Sequence, residues 1–300
     1  MPAAVQFHDV SKQFGALQAL DGVDLSIEQG EFFALLGPNG AGKSTMINIL
    51  SGLLRPSQGS VEVMGFDVIK QYREARRSLG VVPQELVFDP FFSLREMLRF
   101  QAGYFGKRKD NDVWIDEVIE GLGLSDKAGT NMRKLSGGMK RRALIAQALV
   151  HKPPVIVLDE PTAGVDVELR HMLWEFIRRL NADGHTIILT THYLEEAEEL
   201  CSRVALLKQG KIIKLDTTAN LLRTMHGKLL QLKFSGELPA ALIPMLKEKN
   251  PEGYLLKLDE VSALEHVLVN LRQADIALED LRLIEPDLED VFVEMVGKSS

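Results

Sequence analysis

One octapeptide constrains this chain more than any other feature. Gly37-Pro38-Asn39-Gly40-Ala41-Gly42-Lys43-Ser44 fits the pattern G-x-x-x-x-G-K-[ST]. It follows the apolar run Phe32 to Leu36 and precedes a stretch with Ile47, Leu50 and Leu53-Leu54 at helical spacing. Strand, Gly-rich loop and helix in that order predict a phosphate cradle. The glycines let backbone N–H groups turn inward, and the helix N-terminus presents its positive dipole end. Lys43 then reaches the β- and γ-phosphates of a nucleotide, and the Ser44 hydroxyl is a ligand for Mg²⁺.

A second strand ends in two acids, Val155-Ile156-Val157-Leu158-Asp159-Glu160, with Pro161 closing it. In a parallel sheet the strand C-termini face the ligand crevice, so both carboxylates belong near the phosphate loop. Asp159 is placed to organise the Mg²⁺ shell and Glu160 to polarise the water that attacks the γ-phosphate. A third apolar run, Thr186 to Leu189, leads into Thr190-Thr191-His192. A lone histidine is more often structural, but an imidazole at a strand's C-terminal end is placed to sense the γ-phosphate.

These runs, with Val204 to Leu207, alternate with helical patterns such as Leu169, Met172, Leu173, Phe176, Ile177 and Leu180. Continuously apolar strands between amphipathic helices predict a parallel sheet covered on both faces. Residues 5 to 36 read as short strands with turns at Phe14-Gly15 and Gln29-Gly30. After Leu215 the texture becomes that of a small α+β appendage. Leu230, Leu232 and Phe234 alternate as in a strand, and Tyr254 to Leu258 and Ile276 to Ile284 are further candidates, with a bulge at Asp280. Val261, Leu264, Val267, Leu268 and Leu271 make a helix face. Pro286 is placed to open a last helix carrying Leu288, Val291, Phe292 and Met295.

Leu135-Ser136-Gly137-Gly138-Met139 precedes a helix with Lys140, Arg141 and Arg142, and forms a second anion cradle. With it the chain resembles the ATP-binding-cassette (ABC) ATPases over about residues 5 to 215, with the motifs in the family's order. The resemblance implies a P-loop α/β fold: an N-terminal antiparallel β subdomain, a RecA-like parallel core, a helical signature subdomain at about 85–150, and the appendage at 216–300. By that resemblance Gly37 to Thr45 is Walker A, Gln84 the Q-loop glutamine and a metal ligand, and Leu135 to Met139 the signature. Asp159 and Glu160 complete Walker B, Asp166 fits the D-loop and His192 the switch histidine. Phe14 is expected to stack on adenine, with Phe7 the competing choice. Signatures usually read LSGGQ; Met139 departs from that and suits the LSGGMKRR branch, similar to ABC-2-type exporters of the antibiotic-resistance kind.

The family likeness further implies ATP and Mg²⁺ as ligands and a head-to-tail homodimer in which Ser136 to Gly138 of one copy close over ATP held by Lys43 of the other. It implies a separately encoded transmembrane permease, contacted by the stretch Glu85 to Phe100 with Phe88, Phe91, Phe92 and Leu94. The segment Leu288-Glu289-Asp290-Val291-Phe292 resembles the C-terminal extension of these exporters, and a helix face burying Val291 and Phe292 is the simpler reading. A soluble ABC ATPase acting on ribosomes or DNA is the alternative, and a regulatory module without turnover a third; neither long heptads nor a second cassette is present to favour the alternative.

Composition agrees with this reading. The net charge is −7, with 9 basic and 15 acidic residues after Leu215 and 26 and 27 before it, so neither part has a nucleic-acid binder's basic excess. The single cysteine, Cys201, excludes a disulfide framework and points to a reducing compartment. No apolar run approaches the roughly 20 residues that span a bilayer, and the N-terminus lacks a signal-peptide pattern. The expected location is the cytoplasmic face of the inner membrane, held there by the permease.

Overall fold

The structure is a computed structural model and describes residues 2–84, 88–163, 165–224, 228–258, 262–284, 287–289 and 291–292. The chain divides into two compact units, Met1–Thr217 and Thr218–Ser300.

The first unit opens with a long hairpin, β1 (Ala3–Phe14) and β2 (Leu17–Glu28). Where short strands are expected, two twelve-residue strands form. Register shifts along the pair absorb the breaks in alternation, as at Asp9 with its φ of 46°. The turn at Gly15 fits the expectation. Next come β3 (Phe32–Leu36), α1 (Lys43–Leu50), β4 (Gln58–Val63), β5 (Phe66–Asp67), α2 (Tyr72–Arg77) and β6 (Leu79–Val82). Helix α1 stops at Leu50, capped by Ser51, and Leu53 is exposed outside the predicted apolar face. Then follow α3 (Leu94–Tyr104), α4 (Asp112–Gly121), α5 (Gly137–Leu149), β7 (Val155–Asp159), α6 (Val167–Ala182), β8 (Thr186–Thr190), α7 (Leu194–Leu200), β9 (Arg203–Lys208) and β10 (Lys211–Thr217).

Two sheets result. The first runs β2-β1-β4-β5 and is antiparallel. The second runs β10-β9-β3-β8-β7-β6; β6, β7, β8, β3 and β9 are parallel, and β10 adds an antiparallel edge. Strands β3 and β8 are buried along their whole length, the state their unbroken apolar runs require. One core joins the two sheets through α1: Val5, Phe7, Leu20, Ile49, Phe33 and Val157 all belong to it. Because β3, β6, β7 and β8 are parallel, the segments leaving their C-termini lie at one end of the sheet. Those segments are Gly37 onward, Pro83-Gln84, Glu160 onward and Thr191-His192.

Helices α3, α4 and α5, within the stretch expected to be helical, pack on one another. Ser93 and Glu96 close a reciprocal capping box that starts α3. Leu94 and Leu98 of α3, Ile115 and Ile119 of α4, and Leu144 and Ile145 of α5 are buried.

The second unit contains α8 (Thr218–Thr224), β11 (Lys228–Phe234), β12 (Leu246–Asn250), β13 (Gly253–Leu258), α9 (Ala263–Gln273) and β14 (Leu278–Ile284), with the antiparallel order β12-β13-β11-β14. Its core takes Leu230, Leu232, Phe234, Leu256, Val267 and Leu271. Leu268, expected on the buried face of α9, is exposed. The bulge falls beside Asp280, since Lys233 pairs with Asp280 while Phe234 pairs with Leu278. Strand β12 (Leu-Lys-Glu-Lys-Asn) carries no apolar alternation, and charge suits it to an edge. Leu288 and Val291 are buried, whereas Phe292 is half-buried. Glu85, Val261, Pro286, Asp290 and Met295 lie outside the described residues.

Candidate active site

The phosphate loop is shaped by close approaches that only glycine permits. A Cβ on Gly37 would sit 2.3 Å from the Leu207 carbonyl oxygen of β9. Gly42 has φ +113°, and a Cβ there would lie 2.7 Å from the Ala19 carbonyl oxygen. The loop is therefore pressed onto β2 and β9, with Ala41 fixed by bonds from its N–H to Pro38 (3.1 Å) and from the Gly210 N–H to its carbonyl (2.9 Å). Lys43 Nζ donates to the Gly37 carbonyl at 2.5 Å and the Pro38 carbonyl at 3.2 Å, so its ammonium is held inside the loop. Burial lowers its pKa, and the charges of Glu160 and Asp159 oppose that. Both carboxylates thus act on the loop lysine. Pro38 is half-buried, whereas Asn39, Gly40 and Ser44 are exposed; Thr45 is half-buried.

Glu160 is the junction of the site. Its φ of +50° is a left-handed backbone, uncommon for a non-glycine residue and typical of functional sites. Its N–H still bonds the Thr190 carbonyl of β8 at 2.9 Å, so the strand pairing continues while the side chain turns off the strand line. Glu160 Oε2 accepts from Gln84 Nε2 at 2.9 Å, and Oε1 lies 3.3 Å from His192 Nδ1. Three residues from the ends of β6, β7 and β8 are therefore joined on one carboxylate. Asp159 beside it accepts a hydrogen bond from the Thr190 hydroxyl. Burial raises the Asp159 pKa; the Thr190 bond, Lys43 and Arg141 act against that, and Glu160 adds to it.

Ser136 caps α5: its hydroxyl accepts from the Met139 N–H at 3.3 Å, and its carbonyl from the Lys140 N–H at 2.9 Å. Ser136 and Gly137 are exposed, Leu135 is buried beneath them, and a Cβ on Gly138 would approach Leu169 to 3.2 Å. Among the described residues, no hydrogen bond or ion pair joins this segment to the phosphate loop of the same chain. Asp166 caps α6 through the Leu169 N–H at 2.9 Å. Phe14 is 46% exposed with Lys12 over its ring at 5.0 Å, whereas Phe7 is 4% exposed in the core, which leaves Phe14 as the accessible aromatic.

Three groups of the site escape sequence reasoning. Thr190 is one, hidden because a strand-end threonine has no spacing signature. Glu196 of α7 is fully buried and accepts from the Thr162 hydroxyl, tying the chain after Glu160 to the helix after His192. Arg141 is the third. Its place three, four and seven residues before Leu144, Ile145 and Ala148 puts it on the buried face of α5, a signal legible in the sequence.

A Gly-rich phosphate loop, a carboxylate pair and a histidine on adjacent parallel strands, with a capped glycine pair on a separate helix, define an ABC-type ATPase. The ABC transporter family profile matches residues 20–163. The chain is 38% identical to the Nod factor export ATP-binding protein I of Rhizobium etli over 98% of this chain and 94% of that protein. It is 35% identical to the linearmycin resistance ATP-binding protein LnrL of Bacillus subtilis, over 98% and 99%. The solved ATP-binding subunit of an ABC transporter superposes with a TM-score of 0.70 at 29% identity, covering 74% of this chain and 92% of that one. The cassette MJ0796, solved as a dimer in a post-hydrolysis state with ADP and Pi, gives 0.65 at 28% identity, covering 71% and 98%. This chain belongs to the ABC transporter family, as one of its ATP-binding, ATP-hydrolysing proteins.

Proposed function

We propose that the chain powers an exporter: two copies pair head-to-tail around two ATP molecules and drive a separate transmembrane permease at the membrane's inner face. The observation that carries this reading is the Gln84–Glu160–His192 cluster, set beside Lys43 at one end of the parallel sheet. It provides a carboxylate whose two oxygens are each oriented by a neighbour, as a positioned general base needs. Glu160 takes the proton of the attacking water, Gln84 and His192 fix its direction, and Lys43 holds the β- and γ-phosphates. Phe14 provides the face on which adenine stacks.

The residues present suit Mg²⁺. Ser44 and Asp159 offer hard oxygen donors, and Gln84, which donates through Nε2, keeps its amide oxygen for the same purpose. Among the described residues no group of three or more His, Cys, Asp or Glu side chains is arranged to hold a metal ion by itself, and Mg²⁺ is ordinarily held by one or two carboxylates with the substrate's own phosphates. When bound, the ion supplies neutralisation of the phosphate charge.

The exposed signature supports pairing. Ser136 to Met139 make an anion cradle at a helix N-terminus, and among the described residues no hydrogen bond or ion pair joins it to the phosphate loop of the same chain. A second copy related by two-fold symmetry provides a phosphate loop for each signature, with Asp166 near the shared boundary. The dimeric form of MJ0796 favours this arrangement. Export follows the names of the relatives, which concern Nod factor export and linearmycin resistance.

Among the described residues no helix is long and apolar enough to cross a membrane; in this reading the transport path belongs to a partner. A cleft of about 710 Å³ lined by Phe88, Phe92, Met97, Phe100, Tyr104 and Gln147 offers that partner a site on α3. Phe91 (83%), Tyr104 (87%) and Phe100 (53%) are exposed around it, an apolar patch of the kind that marks protein contact. The test is a tagged pull-down from gently solubilised membranes, with wild type and Tyr104→Glu. A stoichiometric multi-spanning partner with wild type, lost with Tyr104→Glu, is expected. Recovery of wild type only with ribosomes, nucleic acid or nothing would overturn the exporter reading.

A further inference from the structure

Arg141 is 7% exposed on the second turn of α5, among Ala143, Leu144 and Ile145. Burying a guanidinium is expensive unless every donor meets a purpose. Its Nη1 donates to the main-chain carbonyl of Gln84 at 3.0 Å and approaches that of Pro83 at 3.5 Å. Its neighbour Lys140 places Nζ 4.7 Å from the centre of the Phe88 ring. Two consecutive side chains of the signature helix thus hold the chain on either side of residues 85–87. Burial lowers the Arg141 pKa, opposed by the charges of Glu160 and Asp159, so the guanidinium also lies within electrostatic reach of the catalytic carboxylates.

We propose that Arg141 is a positioning residue that couples the two ATP sites of the dimer. The inference rests on the head-to-tail reading above. There, the signature of a chain touches the nucleotide held by its partner, while Gln84 and Glu160 of the same chain act on its own nucleotide. Arg141 lies three residues beyond Gly138, about 4.5 Å along the rigid axis of α5. A shift of the cradle against the partner's γ-phosphate moves the Arg141 guanidinium and, through the 3.0 Å bond, the Gln84 backbone. The Gln84 side chain, at 2.9 Å from Glu160, passes the shift to the base. Site engagement on one side is thereby read at the carboxylate on the other, through one continuous set of contacts. Both contacts come from Nη1 at the tip of the guanidinium, and a lysine ammonium ends a side chain one bond shorter, so it does not place a donor where Nη1 sits.

The test compares wild type, Arg141→Lys and Arg141→Met in the full chain, measuring affinity for a fluorescent ATP analogue and the ATP dependence of turnover. The expected result is affinity within about three-fold of wild type, with kcat reduced roughly ten-fold or more by misplacement of the base. The Hill coefficient, which coupled sites can raise toward about 2, falls to about 1. Arg141→Lys with wild-type kcat and Hill coefficient overturns the proposal, as does a wild-type Hill coefficient of about 1. ATP-induced dimerisation is followed in parallel on a Glu160→Gln background: its absence with Arg141 intact indicts the dimer reading, and its presence isolates the role of Arg141. If the Arg141 variants do not fold, mixed dimers with Ser136→Arg in one protomer carry the test. Turnover well below half of wild type is expected, and one half overturns the proposal.

Discussion

Acidification should loosen the packing of α3 and α5 on β6 through a single histidine. His151 follows α5 and is 6% exposed. Its ring stacks on Phe105, just past α3, at 3.6 Å and an interplanar angle of 2°. Nε2 lies 3.2 Å from the Leu79 carbonyl of β6, so the neutral ring donates there, while Nδ1 is buried with no hydrogen-bond partner among the described residues. A proton on Nδ1 would be a buried charge without an acceptor. Burial therefore lowers the pKa from 6.5 to about 4, with the Leu79 bond opposing and Lys107 assisting. The unfolded chain binds the proton first, so the stability is present above 6.5 and lost as pH falls toward 4. The loss between pH 7 and pH 5 is about 2 kcal/mol, approaching about 3 kcal/mol at lower pH. Both tryptophans, Trp114 and Trp174, lie in the first unit, so their fluorescence in urea reports its unfolding. His151→Phe keeps the stack and cannot take the proton; its stability should fall less than that of wild type over this range, by about 2 kcal/mol. Equal pH slopes in the two proteins would refute the reasoning, since all other titrations are common to both.

The remaining predictions concern the nucleotide site. In the proposed function Lys43→Ala removes the half-buried ammonium that pairs with the phosphates, a truncation costing about 2–5 kcal/mol; fluorescent-nucleotide titration should show affinity weakened at least about 30-fold. Thr190→Val preserves shape but removes the hydroxyl that favours ionised Asp159, a bond to a charged group worth about 1.5–3 kcal/mol. The Asp159 carboxyl then rises further, and the acid limb of the ATPase pH profile moves to higher pH, while Thr190→Ser leaves it in place. An unmoved limb in Thr190→Val would show that Asp159 does not need its charge for turnover.

Much of the site is legible in the sequence because chain topology alone assembles it. Lys43, Glu160 and His192 follow the C-termini of β3, β7 and β8 and Asp159 ends β7, and parallel strands carry such residues to one end of the sheet, whereas Gln84 after β6 is reached only through the family resemblance. The direction of Glu160 is not legible, since its left-handed backbone depends on the Thr190 carbonyl opposite. The same holds for Thr190 and Glu196, whose partners are remote in sequence at Asp159 and Thr162. Strand length in β1 and β2 is obscured by register shifts that break period-two alternation, and the charged β12 carries no apolar signal at all. Burial separates Phe7 from Phe14, a distinction that residue type cannot make.

The most direct test of the central claim is sedimentation velocity of Glu160→Gln with and without ATP-Mg²⁺, alongside its turnover. The amide keeps the shape of the side chain but cannot accept the water's proton, a loss of about 10²–10⁴ in rate. A monomer that becomes a stable dimer only with ATP-Mg²⁺, with turnover reduced by that factor, is the predicted result. A variant that stays monomeric with ATP-Mg²⁺, or hydrolyses ATP at the wild-type rate, would contradict the account.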